Sequence, residues 1–446
     1  MLGEYRIAGR RAADISADIE TAVGDGRLTP GQPLPPMRQL AQELGVNPNT
    51  VAAAYRALRE RGVIETDGRR GSRVRERPPT TDRESLGVLG ADIPEGVRDL
   101  ADGNPDPALL PPLDEALAQA AARARREPAL YGADPVRPEL RALARAAFTA
   151  DGVPDGPIGV TSGTLDAVER LLAAHLRAGD TVAVEDPGWG AVLDLVPALG
   201  LRTAGVGLDD EGPLPDDLAR ALDAGARAFV VTSRAQNPTG AAISRPRARA
   251  LRAVLARHPA TLLIEDDHGH HLVDRPPHPL AGSTRHWAFV RSAAKAYGPD
   301  LRVGVFTGDA LSVDRVRGRQ RLGAGWVSHL LQDAVVELWR TGAVDPRRVA
   351  ASYAARREGL IGALAARGVA AHGDSGMNVW IPVPDETGAV ARLLRAGWAV
   401  APGARFRLAS PPGIRVTVSS LTGADLAPLA ADLAAACAPG VSRHYA

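Results

Sequence analysis

Residues 286–304 read His-Trp-Ala-Phe-Val-Arg-Ser-Ala-Ala-Lys-Ala-Tyr-Gly-Pro-Asp-Leu-Arg-Val-Gly. A β-rich run, Ala288 to Val290, leads into a polar bend, and a second run, Val303 to Phe306, leaves it. The bend carries Lys295, the one lysine among 53 basic residues; the other 52 are Arg. Arg serves wherever only positive charge is needed, but its guanidinium stays protonated and cannot attack a carbonyl. A lysine amine that is buried or set beside another cation loses its proton and forms Schiff bases. Chance survival of one lysine is the plain alternative, and the surrounding residues weigh against it.

An aldehyde cofactor bearing a phosphate needs an amine, a hydroxyl and a fixed cation. Ser292 and Arg302 flank Lys295 and can supply the last two. Asp266 follows the β run ending at Ile264 and would project from the strand end, where a pyridinium nitrogen needs a carboxylate. Asn237, in Asn237-Pro-Thr-Gly240, and His268 can donate to a phenolate oxygen. Gly163 and Thr164, in Thr161-Ser-Gly-Thr164, place a glycine turn before a helix, an arrangement that binds phosphate through backbone N–H groups. Arg415, in Gly413-Ile-Arg-Val416, can hold a carboxylate bidentately. Each piece has a plainer reading: Asn237-Pro-Thr-Gly240 as a turn, Asp266 as a helix cap. His268, His270 and His271 with Asp267 suggest a metal site instead. No second ligand cluster with metal spacing appears, so no metal is expected.

Around this core, helical stretches alternate with β-rich runs: Thr181–Val184, Ala228–Thr232, Thr261–Ile264, Ala288–Val290 and Val303–Phe306. That alternation predicts a parallel α/β sheet with its site at the strand ends. Strands at Asn378–Val383 and Ile414–Ser419 between helices predict a smaller α+β lobe. With 45% hydrophobic and 24% charged residues the chain reads as globular, and its net charge of +1 gives no global sign of nucleic acid. The single Cys437 excludes an internal disulfide framework and fits a reducing compartment. No apolar run has transmembrane length and Met1–Gly26 lacks a signal-peptide pattern, so a cytoplasmic protein with no membrane partner is expected.

The N-terminal 77 residues read differently. Residues 11–25, a stretch from near Pro36 or Met37 to Leu44, and Asn47 to about Arg61 have helical patterns, separated by Pro30-Gly-Gln-Pro-Leu-Pro35 and Gly45-Val46. Val63–Val74, interrupted by Asp67-Gly-Arg-Arg-Gly71, reads as a small hairpin. Three helices and a glycine-tipped hairpin make a winged helix-turn-helix. Asn47, Asn49 and Thr50 would open the helix that enters the major groove of double-stranded DNA; Arg38 would clamp a phosphate, with Arg69 and Arg70 at the hairpin tip. From Arg56 to Arg77 there are eight Arg against four acidic residues, a local positive field that the net charge conceals. Solvation of a helix face is the alternative use of those charges.

The wording of residues 30–74, PGQPLPPMRQLAQELGVNPNTVAAAYRALRERGVIETDGRRGSRV, resembles the GntR-type winged helix over nearly its whole length. Matches include Pro30, Gly31, Arg38, Leu40, Gly45, Thr50, Tyr55, Gly62 and Gly71. Residues 98–446 resemble the fold type I aminotransferases. That resemblance implies pyridoxal 5′-phosphate (PLP) on Lys295 as the Schiff-base residue and Asp266 at the pyridine nitrogen. It implies Asn237 near the ring oxygen, and Ser292, Arg302, Gly163 and Thr164 at the phosphate. Trp189 would stack on the ring, Arg415 would take a carboxylate, and Tyr131 would reach the phosphate of a partner subunit, so a homodimer is implied. His268 stands where that family usually has Tyr, and Val136 where Gly commonly follows Asp-Pro.

A GntR-type head on an aminotransferase-type body is the arrangement of the MocR-type regulators. Phrases such as VTSRAQNPTG and GWVSHLLQD look most like a branch resembling a PLP-controlled repressor of vitamin B6 salvage. The expected organisation is a winged helix at 1–77, a linker at 78–97, and a PLP-binding domain at 98–446, with its large part about 150–330 and its small part about 331–446. An active aminotransferase fused to a regulatory DNA-binding domain is the alternative, as is a regulator that senses an amino acid through PLP.

Overall fold

The computed structural model describes residues 5–25, 27–60, 63–66, 71–75 and 93–437. The chain divides into two compact units, and head and body are taken in turn.

The head contains α1 (Ala12–Gly24), α2 (Met37–Leu44) and α3 (Pro48–Glu60), then β1 (Ile64–Thr66) paired antiparallel with β2 (Ser72–Val74). Ile15 and Ile19 of α1, Leu40 of α2, and Val51, Tyr55 and Leu58 of α3 recur at helical spacing and form one buried core. Gly45 ends α2 with φ 63°, a left-handed conformation that glycine adopts without Cβ strain. Asn47 then caps α3, its Oδ1 accepting the Asn49 N–H at 2.9 Å. The expected winged helix is therefore present as far as the described residues reach. The hairpin tip with Arg69 and Arg70, and residues 78–92 of the expected linker, lie outside them.

In the body, β3 (Arg98–Asp99) precedes the strands of the main sheet. These are β4 (Ile158–Thr161), β5 (Thr181–Asp186), β6 (Arg202–Asp209), β7 (Gly212–Pro213), β8 (Ala226–Thr232), β9 (Leu262–Asp266), β10 (His286–Ser292) and β11 (Gly304–Gly308). Their order is β4-β11-β10-β9-β8-β5-β6-β7. β8, β9 and β10 run parallel, but β11 is antiparallel to both β10 and β4. The sheet is thus mixed, where the alternation of elements predicts a parallel one. The connection from β10 to β11 holds only a four-residue helix, Ala294–Tyr297, and one 3₁₀ turn, Pro299–Leu301. A parallel neighbour requires a crossover of about a dozen residues or more, usually a full helix, so the chain doubles back instead. Every residue of β9 is buried, as expected of a strand covered on both faces.

The small lobe is a three-stranded antiparallel sheet of β12 (Asn378–Pro382), β15 (Gly413–Thr417) and β14 (Ala401–Pro402), in that order. Between them in sequence, β13 (Trp398–Ala399) pairs parallel with β3. The small lobe thus recruits Arg98–Asp99 from the far end of the body, which a single boundary near 331 does not foresee. Helix His329–Arg340 is tied to the segment that precedes the main sheet: Gln332 Oε1 accepts the Arg137 N–H at 2.9 Å, and Asp333 pairs with Arg137 at 3.0 Å. No helix among the described residues is long and apolar enough to cross a membrane.

Candidate cofactor site

Several strands and their following turns end at one cavity of about 330 Å³. Asp266 is the last residue of β9 and Ser292 the last of β10; Lys295 lies on the short helix just beyond. Gly163 and Thr164 open helix Thr164–His175 after β4, and Asn237 sits in the loop after β8. With Trp189, His268, Arg302 and Arg415 these residues all line the cavity. The structure therefore brings together ten of the side chains and turns that the sequence singled out. Tyr131 stands apart from them, 95% exposed, its ring 5.8 Å from that of Trp326.

The charges inside are arranged in pairs. Asp266 Oδ2 lies 2.7 Å from His268 Nδ1, and His268 Nε2 lies 2.9 Å from the Ala235 carbonyl. A carbonyl only accepts, so Nε2 carries a hydrogen; with Nδ1 also facing a carboxylate, the arrangement suits an imidazolium. Burial disfavours that charge, but the Asp266 carboxylate outweighs it and holds the His268 pKa above the ordinary imidazole value. Both ring nitrogens of His268 are thus engaged on Asp266 and the backbone. Of the two donors the sequence offers for a ring oxygen, Asn237 is the one whose loop faces the cavity without such a commitment to Asp266.

Asn237 Oδ1 accepts from Arg415 Nη1 at 3.0 Å, which leaves its amide N–H₂ group as the donating end. The loop carrying Asn237 is fixed from below. Gln236 Oε1 accepts from Thr239 N–H and Oγ1, while its Nε2 donates to Pro187 O and to Glu185. Burial pushes the Glu185 carboxyl up to about 7 despite its bonds to Thr232 and Gln236. Arg302 Nη2 donates to Ser162 O at 2.6 Å, which sets the guanidinium against the glycine turn. A Cβ at Gly163, whose φ is 99°, would lie 3.1 Å from that nitrogen. Lys295 Nζ donates to Gly103 O at 2.7 Å, and Arg415 Nη2 donates to Ala101 O. Sequence reasoning missed both carbonyls, because a backbone acceptor leaves no mark in side-chain identity.

These groups fit PLP. Asp266 Oδ1 is buried without a hydrogen-bond partner among the described residues, and Asp266 lines the cavity, which suits a protonated ring nitrogen. Thr164 Oγ1 is likewise buried, with no partner among the described residues, at a helix N-terminus, beside the backbone of Gly163 and the charge of Arg302, the chemistry a phosphate requires. The histidine cluster resolves differently. Among the described residues, Asp151, Asp267 and His270 bring their ligand atoms within 4.8 Å of one another. Asp267 is held by Arg234 at 2.7 Å and Arg291 at 2.8 Å, and Arg291 also binds Asp151. Burial opposes the Asp267 charge, but these two guanidiniums hold its pKa below the usual carboxylate range. The group is an ion-pair network with its negative charge already answered.

In the head, Arg38, Asn47 and Asn49 are exposed and Thr50 is partly so, at the starts of α2 and α3. The cap bond commits Asn47 Oδ1 to the backbone.

Residues 95–433 match the aminotransferase class I and II family, and residues 11–74 match the gntR family of bacterial regulatory proteins. The chain is 41% identical to the vitamin B6 salvage pathway transcriptional repressor PtsJ of Salmonella typhimurium, over 96% of this chain and 98% of that one. It is 30% identical to the pyridoxine biosynthesis transcriptional regulator PdxR of Corynebacterium glutamicum, over 57% of this chain and 55% of that one. Among solved structures, the Thermus thermophilus aspartate aminotransferase with maleate superposes with a TM-score of 0.67 at 27% identity, covering 76% of this chain and 91% of that one. The chain accordingly belongs to the aminotransferase class I and II family and, through its gntR-family head, to the MocR-type transcription regulators.

Proposed function

We propose that this protein is a cytoplasmic, homodimeric transcription regulator that binds operator DNA through its head and takes PLP on Lys295 as its effector. Its target genes, on this reading, serve vitamin B6 or amino-acid metabolism, in keeping with what PtsJ and PdxR are named for. The observation that carries the proposal is the buried Asp266 Oδ1, without a partner among the described residues, in the same cavity as the chain's one lysine. When bound, PLP supplies an aldehyde carbon to the amine and an electron-accepting ring.

The residues of this chain divide the work. Asp266, with its charge steadied by His268, holds a proton on the ring nitrogen. Asn237 orients the ring oxygen, and Trp189 covers a ring face. Gly163, Thr164, Ser292 and Arg302 bind the phosphate, while Tyr131 reaches the partner's site from outside. A ligand alters DNA binding only to the extent that it binds the competent and incompetent arrangements with different affinity. Half-site spacing on DNA is strict, so a modest change in head spacing suffices as the output.

The test is fluorescence anisotropy of the full chain on labelled DNA from upstream of its own gene, at fixed salt, with and without PLP. A PLP-dependent change in affinity, lost in Lys295→Ala, is expected; a response that survives Lys295→Ala would overturn the role given to that amine. Because Arg415 also lines the cavity, an amino-acid ligand has a place for its carboxylate. Multiple-turnover transamination of a defined amino acid would promote the aminotransferase reading over the regulator.

A further inference from the structure

The segment Arg98–Gly103 is bound at its start to the small lobe and at its end to two of the cavity's cations, Lys295 and Arg415. Arg98 N–H donates to Gly397 O at 2.9 Å, Leu100 N–H donates to Ala399 O at 2.8 Å, and Thr417 N–H donates to Leu100 O at 2.9 Å. Arg98 also pairs with Asp425 at 2.5 Å. Beyond Leu100 the chain leaves these partners. Its next acceptors are Ala101 O, held by Arg415, and Gly103 O, held by Lys295 at 2.7 Å. Arg415 is on the small-lobe strand β15, whereas Lys295 follows the large-lobe strand β10. The Lys295–Gly103 bond therefore fastens the end of a small-lobe segment to the large lobe. The same segment continues, in sequence, directly from residues 78–97 that follow the DNA-binding head.

We infer that Ala101–Gly103 is a strap released by occupation of Lys295, and that this release is the first step by which effector binding is passed toward the head. The inference rests on the proposal that PLP is held on Lys295. Joining the ammonium to the cofactor's aldehyde breaks the carbon–oxygen double bond and forms a carbon–nitrogen double bond. The carbonyl oxygen leaves as water with two of the three ammonium hydrogens, and the third stays on nitrogen with the positive charge. Three donors thus fall to one, on a planar nitrogen whose direction is fixed by the ring. Gly103 is buried, and its carbonyl without a donor is unfavourable where it stands. Room for adjustment by side-chain growth is small: Gly103 has φ 71°, and a Cβ there would lie 3.2 Å from Arg415 Nη2. The segment relieves the lost bond by moving.

The test is backbone hydrogen exchange of the peptide spanning 98–106 in the full-length protein, with and without PLP, alongside the absorbance that reports cofactor joined to an amine. Lys295→Met, which removes the donor without adding a cofactor, is measured in parallel. On the strap reading, PLP accelerates exchange in this peptide at least several-fold in the wild type, and Lys295→Met exchanges as fast with no PLP present. Absorbance showing cofactor on Lys295 while exchange stays slow would overturn the strap and leave the proposed function standing. If no cofactor joins the wild type, the proposed function falls, and Lys295→Met alone decides: fast exchange retains the tether, slow exchange removes it. Circular dichroism of the variant separates local release from unfolding.

Discussion

At the scale of single residues, His268 is the informative departure. It stands where the resemblance to aminotransferases leads one to expect Tyr, and the structure shows it bonded to Asp266 at 2.7 Å. Its pKa is raised in the folded chain, so the stability it contributes is fully present below its unfolded value, ~6.5, and is lost as pH rises through the higher folded value. His268→Ala should therefore destabilise the protein more at pH 6 than at pH 9, by about 1–3 kcal/mol at the lower pH, where a charge-assisted buried bond is lost. Urea unfolding of both forms at the two pH values checks this; an equal loss at both would show that the pair is not an ion pair. Lys295, Asp266, Asn237 and Arg415, which line one cavity, were legible in the sequence because it is their side-chain types that mark them. The carbonyls of Ala101 and Gly103 were not, since any residue supplies one. Nor was the commitment of both His268 nitrogens, which depends on Ala235 lying 33 residues away in sequence but in bonding distance.

At the scale of elements, five of the eight strands of the main sheet were legible, β4, β6 and β7 were not, and no strand's direction was. Hydrophobic runs marked β5, β8, β9, β10 and β11 to within a few residues, but periodicity is blind to whether a strand runs up or down. Only the shortness of the β10–β11 connection carries that information, and it holds enough helix-forming residues to mislead. Similarly, nothing in the Arg98–Asp99 pair announces that it will join a lobe whose other strands start at Asn378. What holds the sheet is ordinary burial: Leu263 of β9 and Phe289 of β10 are fully buried in the common core. Leu263→Ala should cost about 2–5 kcal/mol, the transfer term plus the cavity left in a strand with no free face. Thermal melts of the full chain give the measurement; a loss below about 1 kcal/mol would mean that the neighbouring helices collapse into the space.

At the scale of the whole molecule, a nearly neutral chain conceals a basic head. The Arg-rich run from Arg56 to Arg77, with Arg38 on a phosphate, is the electrostatic part of the proposed DNA interface, and Asn49 and Thr50 are its specific part. DNA affinity should fall linearly on a log–log plot against salt, by about 10³–10⁵ between 50 and 200 mM if roughly six to ten phosphates are contacted. A salt-insensitive affinity measured by anisotropy would remove the head from the interface. The solitary lysine has a practical consequence as well. A protease that cuts only after unmodified lysine would divide the denatured chain once, into residues 1–295 and 296–446. Borohydride reduction after PLP treatment would block that cut in every molecule that carried the cofactor. The ratio of whole chain to the two fragments on a gel would then count occupancy directly, without spectroscopy and without any reference standard.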